Sequence, residues 1–217
     1  MAVARSFAIF AIAAMLVSTA VSQTLGQPSA EVDVNRAPAW EFSALVSGFI
    51  VPDDQSYASP LFTADHQHLH LEGRYNYEDQ RTGSAWAGYN FSLGSTVELE
   101  VTPMLGGVFG RTNGIAPGYR FSLGYKKIAL SSEGEYVFDT GNHHDSFFYT
   151  WNELTYSPLE WLHAGLVAQR TRAYQTSLDI QRGFLVGVSH GRLDFTTYVF
   201  NLGWTDPTCV LALGMRF

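Results

Sequence analysis

The chain has 217 residues, of which 46% are hydrophobic, 14% are aromatic and only 15% are charged, and its formal net charge is −7. Soluble domains carry about 25% charged residues, so this composition is poor in charge, and the acidic balance excludes a nucleic-acid-binding surface, which requires basic residues. A single cysteine excludes an internal disulfide, and a mean hydropathy of −0.02 is too low for a bundle of membrane helices.

The N-terminus has the pattern of a secretory signal peptide over residues 1–22. Arg5 supplies a positive charge, residues 7–17 form an apolar run too short to span a bilayer, and Ala20, Val21 and Ser22 are small or β-branched residues at the cleavage positions. We predict cleavage near Ser22, with an uncleaved membrane anchor as the alternative. Residues 23–39 are polar and contain prolines, which predicts a flexible periplasmic leader before a barrel domain at 40–217.

After the leader, the dominant hydrophobic period is two, which indicates β-strands rather than helices. The clearest example is the stretch 68–77, where Leu69, Leu71 and Tyr75 alternate with polar side chains. The fold class predicted from this pattern is all-β, a transmembrane antiparallel up-and-down barrel of 12 strands, with 10 strands as the alternative. The predicted strands are 40–51, 55–64, 66–78, 84–94, 96–109, 117–126, 127–138, 146–157, 159–172, 179–189, 192–204 and 208–217.

Short and long turns alternate along the chain. Tight turns are predicted at 64–65, 94–95, 126–127, 157–158 and 190–191, and wider ones at 78–83, 110–117, 140–145, 173–178 and 205–207. Short connections on one side and longer ones on the other are typical of transmembrane β-barrels. The pattern therefore predicts a barrel in a bacterial outer membrane with both termini on the periplasmic side and with outer-membrane lipids around it.

The final strand carries an additional signal. Its apolar face holds Leu211, Leu213 and Met215, and the chain stops at the aromatic residue Phe217. This strand resembles the C-terminal assembly signal of bacterial outer-membrane β-barrels. The resemblance implies recognition of this strand by the barrel-assembly machinery.

The whole chain after the signal peptide is also similar to a family of uncharacterised bacterial outer-membrane β-barrel proteins. The resemblance implies a barrel fold and an outer-membrane location. It implies no activity, so it assigns no functional residues. The segments that carry it are 69–78, 102–110, 132–139 and 178–183.

The polar face of each strand is expected to point into the barrel. If 126–127 is a two-residue hairpin loop, Arg120 faces Glu133, whereas a wide turn centred near Arg81 sets Glu72 opposite Asn90 and Arg74 opposite Gly88. The lumen is then polar and net acidic. The predicted lumen-lining residues are Glu72, Arg74, Asn90, Glu98, Glu100, Arg120, Glu133 and Glu135.

Histidines are the other candidates for chemistry. His66, His68 and His70 are predicted on one face of one strand, where polar lumen lining is a better interpretation than a metal site. The best hydrolase candidate is His144 with Asp145 and Ser146. Three consecutive residues of an extended chain point in different directions and cannot form a triad alone. We therefore predict no metal, no cofactor and no catalytic residue.

The sequence thus favours a porin-like channel for small polar solutes. A closed structural barrel without transport and an outer-membrane hydrolase remain as alternatives. A monomer is favoured, and no nucleic-acid partner is expected.

Overall fold

The computed structural model describes residues 39–52, 54–141, 146–173, 180–203 and 207–217. None of these residues belongs to a helix long and apolar enough to cross a membrane. The strands are β1 (Glu41–Ile50), β2 (Tyr57–His66), β3 (Leu69–Tyr75), β4 (Thr82–Tyr89), β5 (Phe91–Leu93), β6 (Val97–Gly110), β7 (Gly114–Tyr125), β8 (Ile128–Asp139), β9 (Phe147–Leu159), β10 (Leu162–Arg170), β11 (Gln181–His190), β12 (Leu193–Phe200) and β13 (Thr208–Arg216).

These strands form one closed antiparallel barrel. β1 pairs with β13, and β4 and β5 both pair with β6, so that β4 and β5 are two halves of one barrel strand interrupted at Asn90. Counted in this way, the barrel has twelve strands. The predicted fold class and strand number are confirmed, and the β1–β13 and β4–β6 pairings close the barrel.

The two ends of the barrel differ. The end that we call the terminal end holds the start of β1, the end of β13 and connections of two or three residues. The opposite end, called the loop end, holds connections of three to ten residues. This arrangement agrees with the predicted alternation of short and long turns.

The hairpin at 126–127 has the predicted register. Lys126 adopts a φ of 55° in a two-residue loop, and Arg120 pairs with Glu133. Other predicted turns are wrong by a few residues. The turn expected at 64–65 lies at Gln67 and His68, and that expected at 157–158 lies at 160–161, so Ser157 and Pro158 belong to β9.

The predicted pairing across the β3–β4 turn is also wrong. This turn is centred near Asp79 rather than Arg81, so Glu72 pairs with Trp86 and Arg74 with Ser84. The backbone amide of Asn76 donates to the carbonyl of Thr82. The turn therefore closes at Thr82, one residue before Gly83, where the predicted turn ends.

The outer surface is apolar and the inner surface is mainly polar. Exposed side chains on the outer face include Phe62, Leu105, Phe184 and Leu213. A continuous apolar surface of this kind is unfavourable in water but is expected on a barrel surrounded by lipid.

One side of the interior is filled by a packed cluster. Trp86 is only 3% exposed and lies among Met104, Val108, Ala116 and Val137, which come from β4, β6, β7 and β8. This cluster fills the interior beside β4 and the loop-end halves of β6, β7 and β8. A second buried cluster, Val167, Leu185, Phe200 and Val210, packs on the β10–β13 side.

Gly106 supplies the space for the Trp86 ring, and a methyl group there would overlap the indole. We expect Gly106→Ala to lower the free energy of unfolding by about 1–3 kcal/mol, the usual cost of overpacking a core. Gly107→Ala is the matched control, because a methyl group at Gly107 meets nothing within 4 Å. Urea titration of both variants in detergent measures the difference, and equal stabilities would contradict this packing.

Candidate functional site

A network of buried charges occupies the barrel interior beside β3. Strand alternation places His70, Glu72 and Arg74 on one inward face. Glu72 accepts hydrogen bonds from Nε of Arg74 at 2.6 Å and from Nη1 of Arg120 at 2.9 Å. Nε2 of His70 lies 2.7 Å from Oε1 of Glu72. Glu72 therefore joins three cationic or polar partners from β3 and β7.

Arg74 connects β3 to the far side of the packed cluster. Its Nη1 donates to Glu135 of β8 at 2.7 Å and lies 3.5 Å from Glu78. Its guanidinium also lies over the rings of Tyr77 and Trp86, at 4.5 and 4.6 Å from their centroids. Aromatic faces and carboxylates both stabilise a buried guanidinium, so Arg74 is fixed in one position.

His70 bridges two carboxylates. Its Nδ1 lies 2.7 Å from Asp65, and its Nε2 lies at the same distance from Glu72. A neutral imidazole has one N–H, so both contacts are hydrogen bonds only when the ring is doubly protonated. Asp65 also accepts from Nδ2 of Asn90 at 2.7 Å, and Oδ1 of Asn90 accepts from Thr102. The break between β4 and β5 thus places Asn90 in this polar network.

The β3–β4 loop folds into the barrel. The Tyr77 hydroxyl donates to Glu133, and the Tyr77 ring packs against Tyr149 with centroids 5.1 Å apart. Asp79 is buried and binds Arg111, whose Nε donates to Oδ2 at 2.8 Å. This hydrogen bond raises the pKa of the Arg111 guanidinium. The loop is therefore attached to β8 and to the β6–β7 connection, and it narrows the interior.

The remaining interior space is a cavity of about 1200 Å³. It extends from Arg216 and Phe217 at the terminal end to Phe49 and Tyr57 near the loop end. Among the described residues, acidic side chains in its lining outnumber arginines five to two. The ionisable groups that line it and are used below are Glu41, Asp65, Glu100, Glu133, Glu153, Arg120, Arg216 and His70.

Aromatic side chains cover the β9 and β12 side of this cavity. Trp151 meets Tyr198 at 5.1 Å between ring centroids and an interplanar angle of 80°, and it meets Phe200 at 5.4 Å. The indole Nε1 of Trp151 donates to Glu153 at 2.6 Å. The cavity thus has an aromatic wall with carboxylates at its surface.

The predicted lumen residues occupy three environments. Four line the cavity: Asn90, Glu100, Arg120 and Glu133. Three are buried in the charge network beside it: Glu72, Arg74 and Glu135. Glu98 is exposed at the terminal end, two residues after the tight turn that precedes β6. It therefore lies at the rim rather than near the middle of a strand, as its alternation suggested.

The three histidines predicted on one face are separated by the turn at 67–68. His66 stacks on Trp40 at 4.9 Å, His68 stacks on Tyr89 at 4.9 Å, and only His70 enters the charge network. Of the hydrolase candidates, His144 and Asp145 lie outside the described residues, and the Ser146 hydroxyl accepts a hydrogen bond from the backbone amide of Asp139 at 3.1 Å. Within the described ranges, no group of three or more His, Cys, Asp or Glu side chains is arranged to hold a metal ion.

A second polar cluster escaped the sequence prediction. Ser189 pairs with Asp194 across the β11–β12 hairpin, and His163 of β10 contacts Thr196, with Nε2 3.0 Å from Oγ1. The Ser189 hydroxyl donates to Asp194 at 2.6 Å. Activation of a serine nucleophile requires a general base, such as histidine, at its hydroxyl. The Ser189 hydroxyl donates instead to Asp194, and His163 contacts Thr196. A turn placed at 191–192 instead of 190–191 would have revealed the Ser189–Asp194 pair.

No protein-family model and no curated protein sequence matches the chain. Solved structures, by contrast, match the chain. The KdgM porin aligns with a TM-score of 0.59 and 14% identity, covering 81% of this chain and 99% of that protein. The KdgM porin in complex with disordered oligogalacturonate aligns with a TM-score of 0.56 and 13% identity over the same shares. At these identities, the comparison shows that the chain has the fold of a bacterial porin barrel.

Proposed function

We propose that the protein is an outer-membrane channel for small polar solutes with a polar, net acidic lumen. The cavity of about 1200 Å³ inside a closed barrel carries this proposal. A barrel that serves only as a membrane element can fill its interior with side chains, as small barrels do. Here packed clusters and the charge network fill part of the interior, and a cavity remains beside them.

The charge of the cavity supports a preference for cations. Pores lined by carboxylates favour cations and pores lined by arginine or lysine favour anions. KdgM binds oligogalacturonate, an acidic oligosaccharide. Because Glu41, Glu100 and Glu153 line the cavity here together with two other acids and only two arginines, a polyanion of this kind is an unfavourable substrate for this chain.

Planar-bilayer recording of the refolded protein tests this function. We expect discrete conductance steps and, in a KCl gradient, a reversal potential on the cation-selective side. Glu100→Gln should reduce the cation preference because it removes a cavity carboxylate, whereas Cys209→Ala on the outer face of β13 should not. The absence of conductance from correctly folded protein would contradict the proposal.

The second candidate is a closed structural barrel. The inward fold of Tyr77 and Asp79 and the packing around Trp86 favour it, because they narrow the interior near the loop end. The same recording separates the two candidates, since a closed barrel gives no conductance steps.

The proposal includes the route to the membrane. We expect removal of a signal peptide at 1–22, a periplasmic leader at 23–39, and recognition of β13 by the barrel-assembly machinery, followed by insertion as a monomer among outer-membrane lipids. Support for the last steps comes from the exposed side chains of Leu211, Leu213, Met215 and Phe217. Co-fractionation with outer membranes tests the location, and recovery in a detergent-free soluble fraction would contradict it.

A further inference from the structure

We propose that the cavity wall formed by β8, β9 and β12 is a binding subsite for aliphatic diamines, organic cations with an ammonium group at each end. This inference rests on the proposed channel function and specifies which solutes the channel selects. The subsite, called the amine subsite below, consists of Glu133, Trp151, Glu153, Tyr198 and Tyr149.

The register places two carboxylates around one indole. Trp151 of β9 pairs with Glu133 of β8, and Glu153 lies two residues further along β9 on the same inward face. Glu133 and Glu153 are therefore diagonal neighbours, with Cα atoms about 7–8 Å apart. A short diamine can place one ammonium group at each carboxylate while its methylene chain lies across Trp151.

Neither carboxylate is fully neutralised by a cation of the protein. The nearest guanidinium, that of Arg120, has its Nε 4.0 Å from Glu133 and donates instead to Glu72 at 2.9 Å. The other hydrogen bonds of these two carboxylates come from neutral groups: Glu153 accepts from the indole of Trp151 and from the Tyr198 hydroxyl, and Glu133 accepts from the Tyr77 hydroxyl. Additional positive charge is therefore favourable at this position.

Aromatic faces distinguish an organic ammonium group from a metal ion. Tyr149, Trp151 and Tyr198 all line the cavity, and Trp151 and Tyr198 meet edge to face. Ring faces attract ammonium groups and accommodate methylene chains, whereas calcium and magnesium require several oxygen ligands at short distances. The combination of two carboxylates with aromatic faces matches a diamine at both its charged ends and its apolar middle.

The test measures block of the single-channel current by diaminobutane added to the full-length protein in a planar bilayer. We expect concentration-dependent block of the wild-type channel and no block by butanediol, which has the same carbon chain without charge. Glu153→Gln should weaken the block about tenfold, since it removes one of the two charge-assisted hydrogen bonds to the ammonium groups. Trp151→Leu should weaken it about fivefold through loss of the cation–π contact.

Glu98→Gln is the matched control, because it makes the same chemical change at the exposed rim, and it should leave the block unchanged. A conducting channel that diaminobutane does not block, or that butanediol blocks equally, would overturn the amine subsite while leaving the channel function intact. An equal effect of Glu98→Gln and Glu153→Gln would overturn it as well. A folded protein without conductance would overturn both the channel function and this inference.

Discussion

Arg74→Met is expected to lower the free energy of unfolding by about 3–5 kcal/mol, the cost of removing one partner from a buried ion pair. Arg74 is 1% exposed and contacts Glu72, Glu78 and Glu135, all of which are buried. Without its guanidinium, these carboxylates remain desolvated and repel one another. Urea titration in detergent, followed by tryptophan fluorescence, measures the loss.

Arg111→Met is the matched control. The side chain of Arg111 is 52% exposed and pairs with one carboxylate, that of Asp79, which also accepts from the Thr112 hydroxyl at 2.8 Å. The loss of Arg111 should therefore cost less than the loss of Arg74, which leaves three buried carboxylates without their cation. Adding Glu135→Gln to Arg74→Met should restore part of the lost stability, because it removes a buried carboxyl group that has lost its guanidinium partner. Equal destabilisation by Arg74→Met and Arg111→Met would show that the network is accessible to water.

The strand number and part of the register could be predicted from the sequence because both are local properties. Alternation of side chains marks each strand, and the two-residue loop at Lys126 determines that Arg120 faces Glu133. Other turns were misplaced because their residues carry weak turn signals. Gln67 adopts a φ of 55°, a conformation in which glycine or asparagine is usual, and nothing in its residue type announces this.

The charge network could be predicted only as a set of inward residues. The contact between Arg74 and Glu135 joins β3 to β8, which are not neighbours in the sheet, so it depends on the curvature of the barrel rather than on any pairing pattern. The inward fold of Tyr77 and Glu78 is a property of the loop, which alternation does not describe. These two features decide which predicted lumen residues line the cavity and which are buried beside it.

Trp86→Ala is expected to lower the free energy of unfolding by about 3–5 kcal/mol, the usual cost of truncating a buried Trp or Phe to Ala. The indole supports the charge network as well as the packed cluster. Its Nε1 donates to Ser84 at 2.9 Å, and its ring lies 4.6 Å from the Arg74 guanidinium carbon. Its removal therefore creates a cavity among Met104 and Val137 and also removes one aromatic contact of Arg74.

Trp161→Ala is the control, because Trp161 is 54% exposed in the β9–β10 turn and its loss should cost less than about 1 kcal/mol. Both variants are compared by urea titration, and Trp86→Ala is also examined in planar bilayers. If the packed cluster keeps Arg74 and its carboxylate partners in one arrangement beside the lumen, the loss of Trp86 should allow several arrangements. The distribution of single-channel conductances should then become broader. Unfolding of both variants at the same urea concentration would contradict the role of Trp86 as the centre of this cluster.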